Sequence, residues 1–111
     1  MENEINEVEV SPFAQDDLNE IIEYYFLYSQ NYIETTISEF EENIMSLQQY
    51  PRSGRIVPEL ERQGITQYRE LIQGNYRIIY KISKDKVTVL TVIEGRRNFE
   101  EIIIEKLSRY L

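Results

Sequence analysis

The sequence predicts an α+β domain, and three features predict it: two successive apolar stripes at helical spacing over residues 14–47, three strand-like runs over 68–93 joined by short polar turns, and one amphipathic segment beyond residue 98. The implied order is β-α-α-β-β-β-α, with a mainly antiparallel sheet packed against an N-terminal helical hairpin. A chain of 111 residues supports one hydrophobic core and is too short for two, so residues 1–111 are read as a single domain.

Each element has its own signal. Asn6 to Val10 alternates Glu7 and Glu9 with Val8 and Val10, the period of a short, half-exposed strand. Ser11-Pro12 then opens a helix, with Ser11 as N-cap and Pro12 where a missing N–H costs nothing. Ala14, Leu18, Ile21, Ile22, Tyr25 and Tyr28 form its apolar face, while Asp16, Asp17, Glu20 and Glu23 lie mostly off it. Asp16 and Asp17 are assigned to the first turn, where the helix dipole favours anions. Ser29-Gln30-Asn31 interrupts the helix, and Ile33, Ile37, Phe40, Ile44 and Leu47 form a second stripe. Tyr50-Pro51-Arg52-Ser53-Gly54-Arg55 ends it with turn chemistry. Tyr68 to Ile72, Tyr76 to Ile82 and Val87 to Ile93 read as an antiparallel meander, the last apolar enough to be central. Beyond Asn98, a candidate N-cap, Phe99, Ile102, Ile103, Lys106, Leu107 and Leu111 outline a terminal helix. Tyr24, Tyr25, Tyr28, Tyr76 and Tyr80 fall at spacings that core packing explains.

Composition narrows the chemistry. With no cysteine and no histidine, thiolate catalysis, zinc–thiolate sites and the usual neutral-pH base are absent, so any reaction must use carboxylates, Arg, Lys, Tyr or backbone groups. No metal or cofactor is expected. Neither a membrane span nor a secretory leader is visible, which places the chain in the cytoplasm as an expectation. The net charge of −8 is unevenly spread. Residues 1–50 hold twelve acids and no Lys or Arg, whereas residues 51–111 hold all twelve cations against eight acids. Such asymmetry between halves points to an interaction surface.

Five fragments in order carry a resemblance to a known family: Ser11-Pro12-Phe13-Ala14 with Asp17-Leu18, Tyr50 to Arg55, Tyr68-Arg69-Glu70-Leu71, Tyr76-Arg77-Ile78-Ile79-Tyr80, and Val92-Ile93-Glu94-Gly95-Arg96-Arg97. Together they resemble the RelE/ParE toxins of bacterial type II toxin–antitoxin (plasmid stabilisation) systems, across essentially the whole chain. The resemblance implies a RelE/ParE-like fold and a toxin neutralised by a cognate antitoxin protein. ParE-like members act on DNA gyrase without being nucleases, and RelE-like members cut mRNA in the ribosome. A homodimer is compatible with the ParE-like branch.

Ribonuclease chemistry of this kind needs charge stabilisation at the phosphate and groups that move protons. By resemblance, Arg77 and Arg97 match the two arginines that contact the scissile phosphate. If the last two long strands pair around Ser83 to Lys86, Arg77 approaches Arg97, and two guanidinium forks there could grip one phosphate. Arg69 and Arg96 complete the candidate anion-binding set. The proton carriers are missing: the family's tyrosine position falls on Ile103, its lysine positions fall near Arg69 to Leu71, and the first lysine is Lys81. Glu94 stands where many relatives carry histidine and is the candidate base if the chain is a nuclease, with Glu70 as another carboxylate. Tyr110 is a substitute seven residues beyond Ile103, roughly 10 Å further along a helix. Arg69 with Glu70, or Arg77 with Glu94, could instead form ion pairs between strands, and Arg52 and Arg55 simply solvate a turn. The acidic helices would oppose entry into an RNA-lined site, so the ParE-like branch is favoured over the RelE-like nuclease and over an inactive or orphan family member. Three consecutive isoleucines, Ile102, Ile103 and Ile104, cannot all face one core. They mark a candidate antitoxin interface with Ile104 or its neighbour exposed.

Overall fold

The computed structural model describes residues 7–95 and 98–111. Its elements are β1 (Glu7–Val10), α1 (Pro12–Phe26), α2 (Gln30–Ser46), β2 (Arg55–Ile56), α3 (Pro58–Glu61), β3 (Tyr68–Gln73), β4 (Tyr76–Ser83), β5 (Lys86–Glu94) and α4 (Phe99–Ser108). The predicted order is present with two additions, β2 and α3, between Tyr50 and Tyr68. Two strand residues and four helix residues are too few to display a period in sequence.

The helical hairpin forms as its capping signals require. Ser11 Oγ accepts the Ala14 N–H at 3.1 Å, and Ser29, which the sequence shows only as an interruption, caps α2 by accepting the Tyr32 N–H at 3.1 Å. Ile33, Phe40, Ile44 and Leu47 are buried along one stripe of the hairpin. Four local expectations are corrected. Asp16 and Asp17 lie past the first turn of α1, and Asp17 is buried at 5% exposure rather than off the packed face. Tyr24 and Tyr28 are exposed near the hairpin tip, Tyr28 lying beyond the end of α1 at Phe26. Asn98 takes a left-handed backbone conformation at φ 62°, which asparagine tolerates, and its side chain caps nothing. Arg55 does not merely solvate a turn; it pairs with a buried glutamate.

The sheet order is β1-β5-β4-β3-β2, with β1 parallel to β5 and every other pairing antiparallel. Apolar groups cover both faces of its centre. Tyr76, Ile78 and Tyr80 of β4 meet Ala14, Phe40, Ile44 and Leu47 beneath the hairpin, while Ile79 meets Val57, Leu60, Phe99 and Ile103 on the other side. This two-sided burial explains the nearly continuous apolar run of β5. A bulge adjusts the pattern. Ile79 pairs with Thr91 but Tyr80 pairs with Val89, leaving Leu90 as an extra residue. The facing parity of β5 therefore switches, and Val87, Val89 and Val92 all reach the hairpin core.

Tyr80 locks the Tyr50–Arg55 turn onto the sheet. Its buried hydroxyl donates to the Pro51 carbonyl at 2.7 Å and accepts the Gly54 N–H at 3.0 Å. Only glycine fits at residue 54, where a Cβ would lie 2.5 Å from the Glu70 carbonyl oxygen and 2.6 Å from the Tyr80 hydroxyl. Tyr80→Phe leaves a buried carbonyl and a buried N–H without their partner, so it lowers stability by about 1–3 kcal/mol. The check is urea denaturation: the midpoint falls with an unchanged slope, and an unmoved midpoint would show that the turn does not depend on this hydroxyl.

Candidate functional site

Arg77, the second residue of β4, alternates with the core residues Tyr76 and Ile78 and so points to the α3–α4 side of the sheet. Its environment is crowded with acids. Nη1 and Nη2 donate to the two carboxylate oxygens of Glu59, on α3, at 2.9 and 3.1 Å, and Nη1 also donates to Glu70, on β3, at 3.2 Å. The Phe99 ring of α4 lies under the guanidinium, 3.7 Å from Cζ to the centroid, a cation–π contact. Gly95 gives this side chain room, since a Cβ there would approach Arg77 Nε to 3.2 Å.

Glu70 is the pivot of the cluster. At 1% exposure it accepts from Arg55 Nε at 2.7 Å as well as from Arg77, so one buried carboxylate serves two guanidinium groups. Arg69, beside it in sequence, faces elsewhere and donates to the Gly54 carbonyl at 2.8 Å. Neither of the ion pairs suggested by the sequence is the one formed here: Glu70 takes Arg55 and Arg77, and Arg77 takes Glu59 and Glu70. Glu94 pairs in register with Tyr76, one residue from the Arg77–Ile93 pair, and lines the hairpin-side cavities with Tyr25 and Tyr76. Arg77 and Glu94 are thus on opposite faces of the sheet. Arg96 and Arg97, the other members of the expected anion site, lie outside the described residues.

The charges in the cluster reinforce one another. Burial opposes ionisation of Glu59, but the hydrogen bond and charge of Arg77, helped by Arg62, outweigh it and hold its pKa below the ordinary glutamate range. Burial likewise opposes the charge on Arg77, and Glu59 and Glu70 reverse that effect and raise its pKa. Both members are held in their charged forms by each other.

A second polar centre was missed in sequence. β1 stops at Val10, paired with Val89, so the edge of β5 beyond that point needs other partners. Asp17 supplies one, accepting the Val92 N–H at 3.2 Å and the Thr91 hydroxyl at 2.5 Å. Lys106 Nζ lies 3.0 Å from the same carboxylate and Arg109 Nη2 3.5 Å from it, which ties α4 to α1. The Tyr110 hydroxyl donates to the Leu90 carbonyl and lies 2.5 Å from the Ser11 hydroxyl, which is 3.3 Å from the same carbonyl. Tyr110 is therefore engaged at the β1 end of the molecule, packed edge-on against Phe13. The available signal for Asp17 was its place three residues after Ala14 and beside Leu18, a carboxylate inside an apolar stripe.

The profile of one protein family, the ParE toxin of type II toxin–antitoxin system, parDE, matches residues 8–99. The chain belongs to the ParE toxin family. No curated protein sequence matches it. Among solved structures similar to this ParE-family chain, the chromosomal ParDE toxin–antitoxin system from P. aeruginosa gives a TM-score of 0.65 at 16% identity, covering 83% of this chain and 98% of that one. The toxin–antitoxin complex RelBE2 from Mycobacterium tuberculosis gives 0.56 at 19% identity, covering 82% and 92%. E. coli toxin RelE, as an arginine-to-alanine double mutant in the free state, gives 0.60 at 13% identity, covering 96% and 99%. At these identities the likeness establishes the RelE/ParE-like fold, which is the α+β architecture read from the sequence.

The depressed pKa of Glu59 has a pH signature. Its stabilising contribution is complete above the pKa of an unfolded-chain glutamate and is lost as pH falls through the lower folded value. Acid titration of thermal stability should show a steeper acid limb for the native protein than for Glu59→Gln, which carries no titrating group there. Superimposable limbs would show that Glu59 is not held by Arg77 in solution.

Proposed function

We propose that this ParE-family chain, acting as one toxin domain over residues 1–111, works in the ParE-like manner: it inhibits DNA gyrase through protein contacts and is neutralised in the cytoplasm by a cognate antitoxin. The observation that carries this reading is the occupancy of Arg77. A phosphate-gripping arginine must present its fork to the ligand, and this fork is taken bidentately by Glu59 with Glu70 behind it. An incoming phosphate would have to displace a paired carboxylate and would meet two negative charges. The sheet also separates Arg77 from Glu94, and the Tyr110 hydroxyl is bound to the Leu90 carbonyl. None of these arrangements favours the RelE-like nuclease reading.

The antitoxin is proposed to cover the outer face of α4. Ile103 is fully buried and Ile102 partly so, whereas Ile104 is 47% exposed beside exposed Glu101 and Glu105. This exposure supports Ile104 as the apolar contact, with Ile102 and Ile103 holding the helix that presents it.

The deciding experiment pairs two assays on the purified full chain. Gyrase-catalysed supercoiling is inhibited and translated mRNA stays intact if this reading is right. Cuts in mRNA at ribosomal A-site codons with supercoiling unaffected would establish the RelE-like alternative, and silence in both would mark an inactive family member. For the interface, Ile104→Asp should weaken antitoxin capture about tenfold or more, equivalent to ~1.4 kcal/mol, with unchanged folding. Binding by calorimetry at native affinity would remove Ile104 from the contact.

A further inference from the structure

The two acids on Arg77 are held in different ways. Glu70 is locked: its side chain is fully buried, one oxygen lies 3.2 Å from Arg77 Nη1, and the other accepts from Arg55 Nε at 2.7 Å. It cannot swing to cover the rest of the Arg77 fork without releasing Arg55. The guanidinium is locked as well, by Glu70 on one edge and by the Phe99 ring 3.7 Å from Cζ. Glu59 is the accessible member. It belongs to the four-residue α3, it binds both Nη1 and Nη2, and with Asn98, Phe99 and Ile104 it lines a surface cavity of about 580 Å³. One carboxylate therefore faces this cavity and fills the fork, while the parts that aim the fork do not depend on it.

We propose that Arg77 is the floor of an oxyanion site and that Glu59 is its tethered occupant, an autoinhibitory plug carried by α3. The geometry is that of a bound ligand. A planar guanidinium presents two parallel N–H groups, and the Glu59 oxygens meet them at 2.9 and 3.1 Å, as the oxygens of a free carboxylate or phosphate would. The tether decides the competition in the native protein. An occupant on the same chain has a high effective concentration, and buried Val57 and Leu60 seat α3 in the apolar layer, so a dilute external anion is excluded. Removal of the Glu59 carboxylate uncovers the fork without dismantling it, and it leaves Glu70 alone to offset Arg55 and Arg77, with the charge of Arg62 close by. Glu100 and Glu101 line the same cavity, Glu100 accepting from the Gln63 amide, and they limit a free anion to roughly millimolar affinity.

The proposal takes from the functional reading only the pairing of Arg77 and stands whether or not gyrase is the target; its test reads binding, not toxicity. Sodium acetate and sodium phosphate are titrated into the full-length native protein, Glu59→Ala and Glu59→Gln, against sodium chloride at matched ionic strength. Nitrogen-15 spectra of the arginine side chains report on Arg77 itself, and the amide spectrum away from α3 and α4 reports on the fold. In Glu59→Ala the Arg77 Nε–H signal should shift saturably, with an affinity at least roughly tenfold above that of the native protein. Glu59→Gln should fall between the two, because a neutral amide fills the place and is displaced more easily than a carboxylate. This isosteric variant carries the test if Glu59→Ala does not fold. A response to either anion upholds the site, and the stronger response shows whether it takes a planar or a tetrahedral group. An Arg77 signal that moves no further in either variant than in the native protein, that moves equally with chloride, or that moves no more than the exposed arginines would overturn the proposal.

Discussion

The α3–α4 side of this fold is organised around one partly buried ion network, the guanidinium of Arg77 against Glu59 and the buried Glu70. A strand residue pointing into an apolar layer between Ile79, Ile93 and Phe99 cannot carry an uncompensated charge. Two carboxylates from different elements compensate it, and each then has its place fixed: Glu59 positions the single turn of α3, and Glu70 binds Arg55 of β2 as well. Phe99 covers the guanidinium face and sets the start of α4. α3, β3, β4 and α4 thus meet at a single cation, and β2 joins them through Glu70. Such a network is a weak source of net stability and a strong constraint on arrangement, because removing one member strands the others.

The same constraint shapes function. Arg77 is the arginine that the family resemblance would assign to a phosphate, and in this chain its guanidinium is taken by Glu59 and Glu70. Among the described candidate residues, Glu94 lies across the sheet from Arg77, and Tyr110 serves the β5 edge together with Ser11. The acidic N-terminal half and the paired arginine are the two features on which the proposed preference for a protein target rests.

Much of the fold was legible because it rests on local periodicity. The stripe from Ile33 to Leu47, the Ser11 cap, the alternation of β4 and the continuous apolar run of β5 each follow from a few adjacent residues. What was not legible depends on contacts between distant residues. Glu59 meets Arg77 across 18 positions and Asp17 meets Val92 across 75, and neither pairing leaves a spacing signal. The short β2 and α3 lack a period of their own and are held by Arg55, Leu60 and Glu59. Of the candidate site, sequence singled out Arg77 and the exposed Ile104, but the acid partners of Arg77 and the separation of Glu94 required the sheet register.

The central claim is that the Arg77 guanidinium is occupied by Glu59 and Glu70 in the folded protein and is not offered to phosphate. Nitrogen-15 NMR of the arginine side chains measures this directly. The account predicts an Arg77 Nε–H signal protected from solvent exchange, split from the exposed arginines and unmoved by millimolar inorganic phosphate, in the native chain and at neutral pH. An Arg77 signal that exchanges like a surface arginine, or that shifts saturably with phosphate, would contradict it.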